Sequence, residues 1–376
     1  MRNYFLFIVL LFIDATGNAS PFAKDSIIQI VFTADVHYGY VRAHFRGKEQ
    51  VRAQKVNAAM LQQINRLPPT RLPEDGGVAA GKTIRFIDYL IVGGDIANRA
   101  EEGYQNATRS WDEFINAYNT LLSTKSSSNK KTGLLLTPGN HDASNAIGYF
   151  KKLHPAVNPD ALLGIYNRMM PKPKTKATFD YYRDPVNYSR DIGGIHFLFV
   201  SIWPDSSKQQ WMDQDIRAAG KKPVLLFTHV PPYGDPKLFY NPHVPPTINA
   251  QDKMENLLPE HLKDKDPKTD IIEQREWVVF LKAHPQIKAY FHGHENKNEY
   301  YTYTGPDDDI QLPAFRVDSP MKGKRSSKDE RQLSFQLLSV NTVTGQLTVR
   351  ECLWNTDPKS STPPLQWGAV TTLQLR

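Results

Sequence analysis

Residues 26 to 33 place Ile27, Ile28, Ile30 and Val31 in a nearly unbroken β-branched run, the pattern of a strand buried on both faces. It ends at Asp35. From Glu49 to Ile64 the chain sets Val56, Ala59, Met60 and Ile64 at helical spacing, and Pro68-Pro69 stops the pattern. A second strand is predicted over Arg85 to Val92, running into Gly93-Gly94-Asp95. Trp111, Phe114, Ile115, Tyr118, Leu121 and Leu122 form one amphipathic helical stripe, which reads as core packing. After a polar loop from Ser123 to Lys131, the short apolar strand Leu134 to Leu136 delivers Pro138-Gly139-Asn140-His141-Asp142.

In the second half, Asn187 to Arg190 and Ile195 to Ile202 flank Gly193-Gly194 and read as a hairpin. Val224 to Phe227 is a strand that ends at Thr228-His229. Gly234 to Asp270 is rich in Pro, Lys and Asp without periodicity, the mark of an insertion near a site mouth. Ile271 to Leu281 looks helical, and the strand Ile287 to Phe291 ends at His292-Gly293-His294. Runs at Leu333 to Val340, Gln346 to Leu353 and Ala369 to Leu375 make the remainder β-rich and are expected to complete a sheet. Strands alternating with helices, then strand-rich sequence, predict an α/β fold of layers with mixed sheets. The expected organisation is one large domain over residues 20–376, with insertions near 66–84 and 234–270.

The N-terminus departs from this pattern. Arg2, an apolar run from Tyr4 to Ile13, and then Gly17-Asn18-Ala19 read as a secretory signal peptide over residues 1–19, cleaved after Ala19. The run is about half of the roughly 20 residues that a membrane span needs, so the expectation is a secreted or periplasmic protein with no span after cleavage. Cys352 is the only cysteine, which rules out an intramolecular disulfide, and its apolar neighbours make it a buried side chain rather than a nucleophile. The net charge is +7, and Arg2 and Asp14 cancel, so cleavage leaves it unchanged. Such a balance draws anions, but the positive residues follow no helix face. The two densest groups, Lys172, Lys174 and Lys176, and then Lys322, Lys324, Arg325 and Lys328, lie in predicted loops and read as solvated surface.

What carries chemistry is where the polar motifs fall. Asp35-Val36-His37, Gly94-Asp95, Gly139-Asn140-His141-Asp142, Thr228-His229 and Gly293-His294 each follow a predicted strand directly, and in layered α/β folds the carboxyl ends of strands converge on the ligand. Singly, such residues serve as turn residues, caps or core histidines. Together, imidazole, carboxylate and amide oxygen form a donor set for divalent Mn, Fe or Zn, and the lack of thiolate argues against a structural zinc site.

These motifs resemble those of the calcineurin-like metallophosphoesterase family over nearly the whole mature chain. The resemblance implies a layered αββα sandwich of two mixed β-sheets flanked by helices. It implies two divalent metal ions, with Asp35 and His37 on the first, Asp95 bridging, and Asn140, His229 and His294 on the second. It implies hydrolysis of a phosphomonoester or phosphodiester by a hydroxide held between the metals, with His141 as proton donor to the leaving oxygen and Asp142 holding the His141 ring. One departure stands out: the family's last motif carries a second histidine two residues after the first, and here that position is Asn296. Asn296 or water ranks above His292 as the replacement, because 292 and 294 share a face only if the strand continues regularly.

Weaker signals fall outside this set. Gly76 to Thr83 fits the phosphate-binding loop pattern of nucleoside triphosphatases, but it follows a Pro-containing loop and precedes a strand, so it reads as a flexible insertion loop. Arg42, His44 and Arg46 are secondary candidates for phosphate contact. His196 reads as a sheet residue, while His154, His243, His261 and His284 carry no motif. Asn106-Ala107-Thr108 and Asn187-Tyr188-Ser189 fit glycosylation acceptors. The function expected is a metal-dependent phosphoester hydrolase acting on a small-molecule ester. The rival classes are a metal-stabilised binding protein with lapsed catalysis and a secreted nuclease, the latter disfavoured because no basic stripe interleaved with aromatics is present.

Overall fold

The computed structural model describes residues 26–98, 105–143, 160–180, 183–235 and 269–376. The expected signal peptide and most of the 234–270 insertion lie outside them, as do His154, His243 and His261. Strands β1 (Ile27–Thr33), β4 (Tyr89–Gly93) and β5 (Gly133–Thr137) run parallel. The C-terminal strands β12 (Ser334–Asn341), β13 (Gln346–Leu353) and β14 (Gln366–Gln374) extend them antiparallel into a six-stranded sheet, ordered β14-β13-β12-β1-β4-β5. A second six-stranded sheet is ordered β10-β11-β9-β8-β7-β6. Its members are β6 (Tyr188–Ile192), β7 (Ile195–Phe199), β8 (Val224–Phe227), β9 (Ile287–His292), β10 (Glu299–Tyr303) and β11 (Leu312–Arg316). Both sheets are mixed, as the sequence predicts.

One aromatic row crosses the whole second sheet. Tyr188, Phe199, Phe227, Phe291, Phe315 and Tyr300 are register partners from strand to strand, with ring centroids 4.6 to 5.2 Å apart. Phe32 of β1 meets Phe227 and Phe291 edge-on at 5.6 and 5.7 Å, so the row is the face where the two sheets pack. Such ring pairs add about 0.5–1.5 kcal/mol each beyond the area they bury. The row also ends two strands immediately before their polar motifs, since Phe227 precedes Thr228-His229 and Phe291 precedes His292-Gly293-His294.

Helices cover the outer faces. α1 (Ala53–Asn65), α2 (Ala107–Leu121) and α4 (Asp160–Met169) pack against one another beside the first sheet, with the short α3 (Asn140–Ala143) next to α4. α5 (Ser206–Ala219) and α6 (Thr269–Ala283) cover the second sheet: Asp215 of α5 reaches His196 of β7, and Trp277 of α6 packs on Tyr290 of β9. Among the described residues no helix is long and apolar enough to cross a membrane.

The structure corrects three expectations. The helix expected from Glu49 begins at Ala53, because residues 48–52 are strand β3 (Lys48–Arg52), paired with β2 (Val41–Phe45) in a hairpin. The strand expected from Arg85 is hydrogen-bonded as strand only from Tyr89. The loop over 76–83 is not flexible but docked. Buried Arg350 of β13 grips Asp75 with two bonds of 2.7 and 2.8 Å and the Val78 carbonyl with a third of 3.0 Å, and Val78 is itself buried. Its amides at Ala80, Gly81 and Lys82 are spent on carbonyls of its own loop, which leaves no cradle for phosphate.

Candidate metal centre

Five strand ends meet at one point. Beyond β1 lie Asp35 and His37, beyond β4 Asp95, beyond β5 Asn140 to Asp142, beyond β8 His229, and beyond β9 His294 and Asn296. Each chain segment must turn sharply there, and Asp35, His37, Asp95, His294 and Asn296 all adopt left-handed φ between 39° and 68°. That conformation costs a non-glycine residue of order 1–3 kcal/mol and persists only where the surroundings enforce it. Here the enforcement is a backbone lacing: Asp35 N donates to Gly94 O and His37 N to Asp95 O, both at 2.9 Å, and Gly293 N donates to His229 O at 3.0 Å. Two glycines allow the approach. A Cβ on Gly94 would sit 2.6 Å from His229 Nδ1, and one on Gly293 would sit 2.3 Å from Asp35 Oδ2.

Asp95 is central. Its Oδ2 lies 3.6 Å from His37 Nε2, 3.3 Å from His229 Nε2 and 3.9 Å from His141 Nε2, while its Oδ1 accepts from the His141 amide at 2.9 Å. Two groups share it, one made with His37 and the half-buried His141 and the other, fully buried, with Asp35 and His229. On the second side, His294 Nδ1 stands 3.1 Å from Asn140 Oδ1 and 3.3 Å from His229 Nε2. The proton positions make this arrangement informative. His229 Nδ1 donates to Gly93 O at 2.7 Å, and His294 Nε2 faces Asp235 Oδ2 at 3.1 Å, so His229 Nε2 and His294 Nδ1 are the ring atoms left to face the centre. With both rings neutral, these two nitrogens and Asn140 Oδ1 are acceptors gathered beside the Asp95 carboxylate, a set that a divalent cation suits and where, without one, Asp95 favours a proton on His229 in its place. Three buried atoms on the first side also take no hydrogen bond: Asp35 Oδ1, His37 Nδ1 and Asn296 Oδ1. A carboxylate oxygen buried without a donor is costly, and a divalent cation offsets that cost. The donor set fits metal.

The structure separates the residues the resemblance groups together. Asp142 does not hold the His141 ring. Its oxygens accept from Ala97 N at 2.8 Å and Gly139 N at 2.9 Å, tying the Asp95 loop to the Asn140 loop. The ring is held instead by the Asn98 carbonyl on Nδ1, which aims Nε2 at the centre. His292 is turned away: Phe291 faces the inter-sheet row, so strand alternation puts 290 and 292 on the outer face, where His292 Nε2 meets the Tyr301 hydroxyl at 2.8 Å. Asn296 donates Nδ2 to the His294 carbonyl at 3.0 Å and keeps a buried, unmatched Oδ1.

Electrostatics follow from burial and from Asp95. Burial opposes charge on His229, but the Asp95 carboxylate outweighs it and lifts the ring to about 9. Burial would raise Asp95, yet the three imidazoles hold it well below the carboxylate range. Burial and then the Asp95 charge push Asp142 up to about 7. Burial and the Lys322 ammonium both lower His37, and burial takes His141 well below the usual histidine value against the pull of Asp95.

Two neighbours of the site had no signal in the sequence pattern. Asp235 sits at the start of an aperiodic segment, and its contact to His294 spans 59 positions. Lys322 reads as solvated from its Gly- and Ser-containing loop, yet it is half-buried, with Nζ 5.0 Å from the Tyr40 ring centre. The secondary candidates do not reach the centre. Arg42 is buried on the carbonyls of His44, Pro320 and Ser326, Arg46 bonds Asn355 and Ser361, and His44 is exposed on the β2–β3 hairpin. His196 and His284 pair with carboxylates on helix α5. Burial raises the Cys352 thiol, in keeping with an inert side chain. Asn187 is buried, with its side-chain oxygen on Ser201 N, whereas exposed Asn106 caps α2.

Residues 28–298 match the profile of the calcineurin-like phosphoesterase family. Among solved structures, the chain is similar to a single mutant of Vps29 from Entamoeba histolytica, at 11% identity and a TM-score of 0.34 over 92% of this chain and 99% of that one. It is also similar to wild-type Vps29 with Zn from the same organism (10%, TM-score 0.33, 93% and 100% covered). A predicted phosphoesterase from Streptococcus pneumoniae matches at 9% identity and a TM-score of 0.31, with 92% and 97% covered. A search of curated proteins finds no match. With the matched region spanning all five strand-end motifs, the chain belongs to the calcineurin-like phosphoesterase family.

Proposed function

We propose that the protein is a phosphoester hydrolase that works with two divalent cations. Asp35, His37 and Asp95 would hold the first, with Asn296 Oδ1 the available amide oxygen, and Asp95, Asn140, His229 and His294 would hold the second. The observation that carries this reading is that His294 Nδ1 stands 3.1 Å from Asn140 Oδ1 and 3.3 Å from His229 Nε2, with both outer ring nitrogens already committed. Nitrogen and oxygen donors without thiolate suit Mn, Fe or Zn. Such a pair supplies Lewis-acid stabilisation of phosphoryl charge and a water acidic enough to attack in line at neutral pH.

The chain's own residues do the rest. Asp95 keeps three imidazoles in one cluster, and Asp142 locks the two loops that carry Asp95 and Asn140. His141 is the proton donor to the leaving oxygen, with its ring fixed through Nδ1 so that Nε2 faces the reacting group. Burial keeps that ring neutral in the resting site, and the negative charge of an arriving ester favours its protonation. We place the working protein in the secreted or periplasmic compartment, on the strength of the apolar run from Tyr4 to Ile13.

The test is hydrolysis of p-nitrophenyl phosphate and bis-p-nitrophenyl phosphate with Mn or Zn and with chelator. Turnover that chelator abolishes is expected, and His141→Ala should lower kcat about 10²- to 10⁴-fold at unchanged metal content. No turnover of either ester with any metal contradicts the proposal, and full activity in His141→Ala contradicts the assigned proton donor.

A further inference from the structure

β1, β8 and β9 run toward the metal centre, so their starts form the opposite end of the sandwich. β1 has seven residues, which at about 3.3 Å each separates the two ends by roughly 20 Å. At the far end a cavity of about 520 Å³ opens between the start of β1 and the run into β4, walled in part by Ser26, Lys82, Arg85 and Phe86. It exists because the pairing of β1 with β4 begins only at Ile30 opposite Tyr89. A second cavity of about 400 Å³ lies before β8 and β9, with Lys221, Lys288 and Arg376 in its wall. Two turns join the cavities. Thr342 N donates to Ser26 O at 2.7 Å, a Cβ on Gly345 would sit 2.9 Å from Arg376 Cγ, and one on Gly194 would sit 2.9 Å from Arg376 Nη2. The strand starts and the β6–β7 and β12–β13 turns are therefore one continuous face.

Cations that follow no pattern in the sequence are gathered there by the fold. Lys82, Arg85 and Lys221 are exposed and Lys288 is half-buried, and no acidic side chain lines either cavity. Two carboxylates beside the face are already paired, Glu74 with Arg71 at 2.6 Å and Asp191 with Lys222 at 2.8 Å. Four cations would attract any polyanion, but two further features select a lipid surface. Val343, in the β12–β13 turn between the two cavities, is 73% exposed, more than any other large apolar side chain of the described residues. The chain that carries the apolar run Tyr4–Ile13 enters the fold at Ser26, on this same face, with residues 14–25 between. An apolar tip ringed by cations suits the boundary between headgroups and acyl chains, whereas a nucleic acid would use the cations and leave Val343 in water.

We propose that this face docks the protein on an anionic phospholipid bilayer, with Lys82, Arg85, Lys221 and Lys288 on the headgroups, Val343 at the acyl boundary and the metal centre turned toward water. The proposal goes beyond the hydrolase reading and stands apart from it, because binding is measured without turnover.

The test is co-sedimentation of the chain from Ser20 onward, which keeps every described residue, with vesicles of phosphatidylglycerol and phosphatidylcholine in equal parts. Binding at low salt is expected, at least about tenfold weaker on pure phosphatidylcholine and in about 0.5 M salt. Each cation beside such a surface adds about fivefold in affinity. Lys82→Gln with Arg85→Gln, and Lys221→Gln with Lys288→Gln, should therefore each weaken binding about 10- to 30-fold, and Val343→Asp at least about fivefold. Lys324→Gln with Lys328→Gln removes the same charge beside Asn296, at the metal-centre end, and should change binding less than about threefold. No binding to the anionic vesicles at low salt, or an equal loss in the Lys324 and Lys328 pair, overturns the proposal. Duplex DNA bound as tightly as the vesicles, with Val343→Asp without effect on either, overturns it in favour of a nucleic-acid partner.

Discussion

His294 divides its two ring nitrogens between two tasks. Nε2 faces the Asp235 carboxylate at 3.1 Å, and Nδ1 is thereby left to face Asn140 and His229. A carboxylate behind a ligating imidazole fixes its tautomer and raises its basicity, and removing such a partner typically costs 10- to 100-fold in metal affinity. Asp235→Ala should therefore weaken the looser of two Mn-binding steps by about that factor in a calorimetric titration, with Asp235→Asn losing less. An isotherm identical to wild type would remove Asp235 from the site. The histidine was legible in the sequence because it follows a strand and a glycine, while Asp235 was not, because the contact is made between residues with no shared pattern. The Asp142 assignment failed for a related reason: adjacency to His141 in sequence puts the two side chains on different sides of a turn.

Elements marked by apolar runs, helical stripes or a glycine turn were legible, and those with none of these were missed. β1, β8 and β9 are largely buried on both faces, so their sequences are mostly hydrophobic. The β2–β3 hairpin is mostly exposed, and α5 buries only Met212 and Ile216, too thin a stripe to announce a helix. α5 is held to β7 partly by charge. His196 lies between Asp191 at 2.9 Å and Asp215 at 2.7 Å. Burial lowers its pKa, but the two carboxylates outweigh burial and raise it above the ordinary value. A raised folded-state pKa means the contribution to stability is fully present below about pH 6.5 and fades as pH rises through the folded value. His196→Gln should accordingly lower Tm most between about pH 5 and 6 and least near pH 9. A Tm difference independent of pH would show that the ring acts by packing alone.

At the scale of the molecule, the two sheets meet through the Phe32, Phe227 and Phe291 contacts, and the centre forms where β1, β4, β5, β8 and β9 end together. The order of motifs in the sequence revealed that convergence, because strand ends meet in this class of fold whatever the loops do. What the loops contribute was hidden: the docking of 76–83 on Arg350 and the anchoring of 317–326 under Asp35 depend on partners more than 250 positions away. On the proposed function, this convergence would hold two cations, with Asp95 placed to serve both. Metal analysis of purified protein reconstituted with Mn, alongside Asp95→Asn, tests it most directly. The prediction is two ions per wild-type chain and a loss that affects both sites in Asp95→Asn. A single ion per wild-type chain at saturating metal would contradict it.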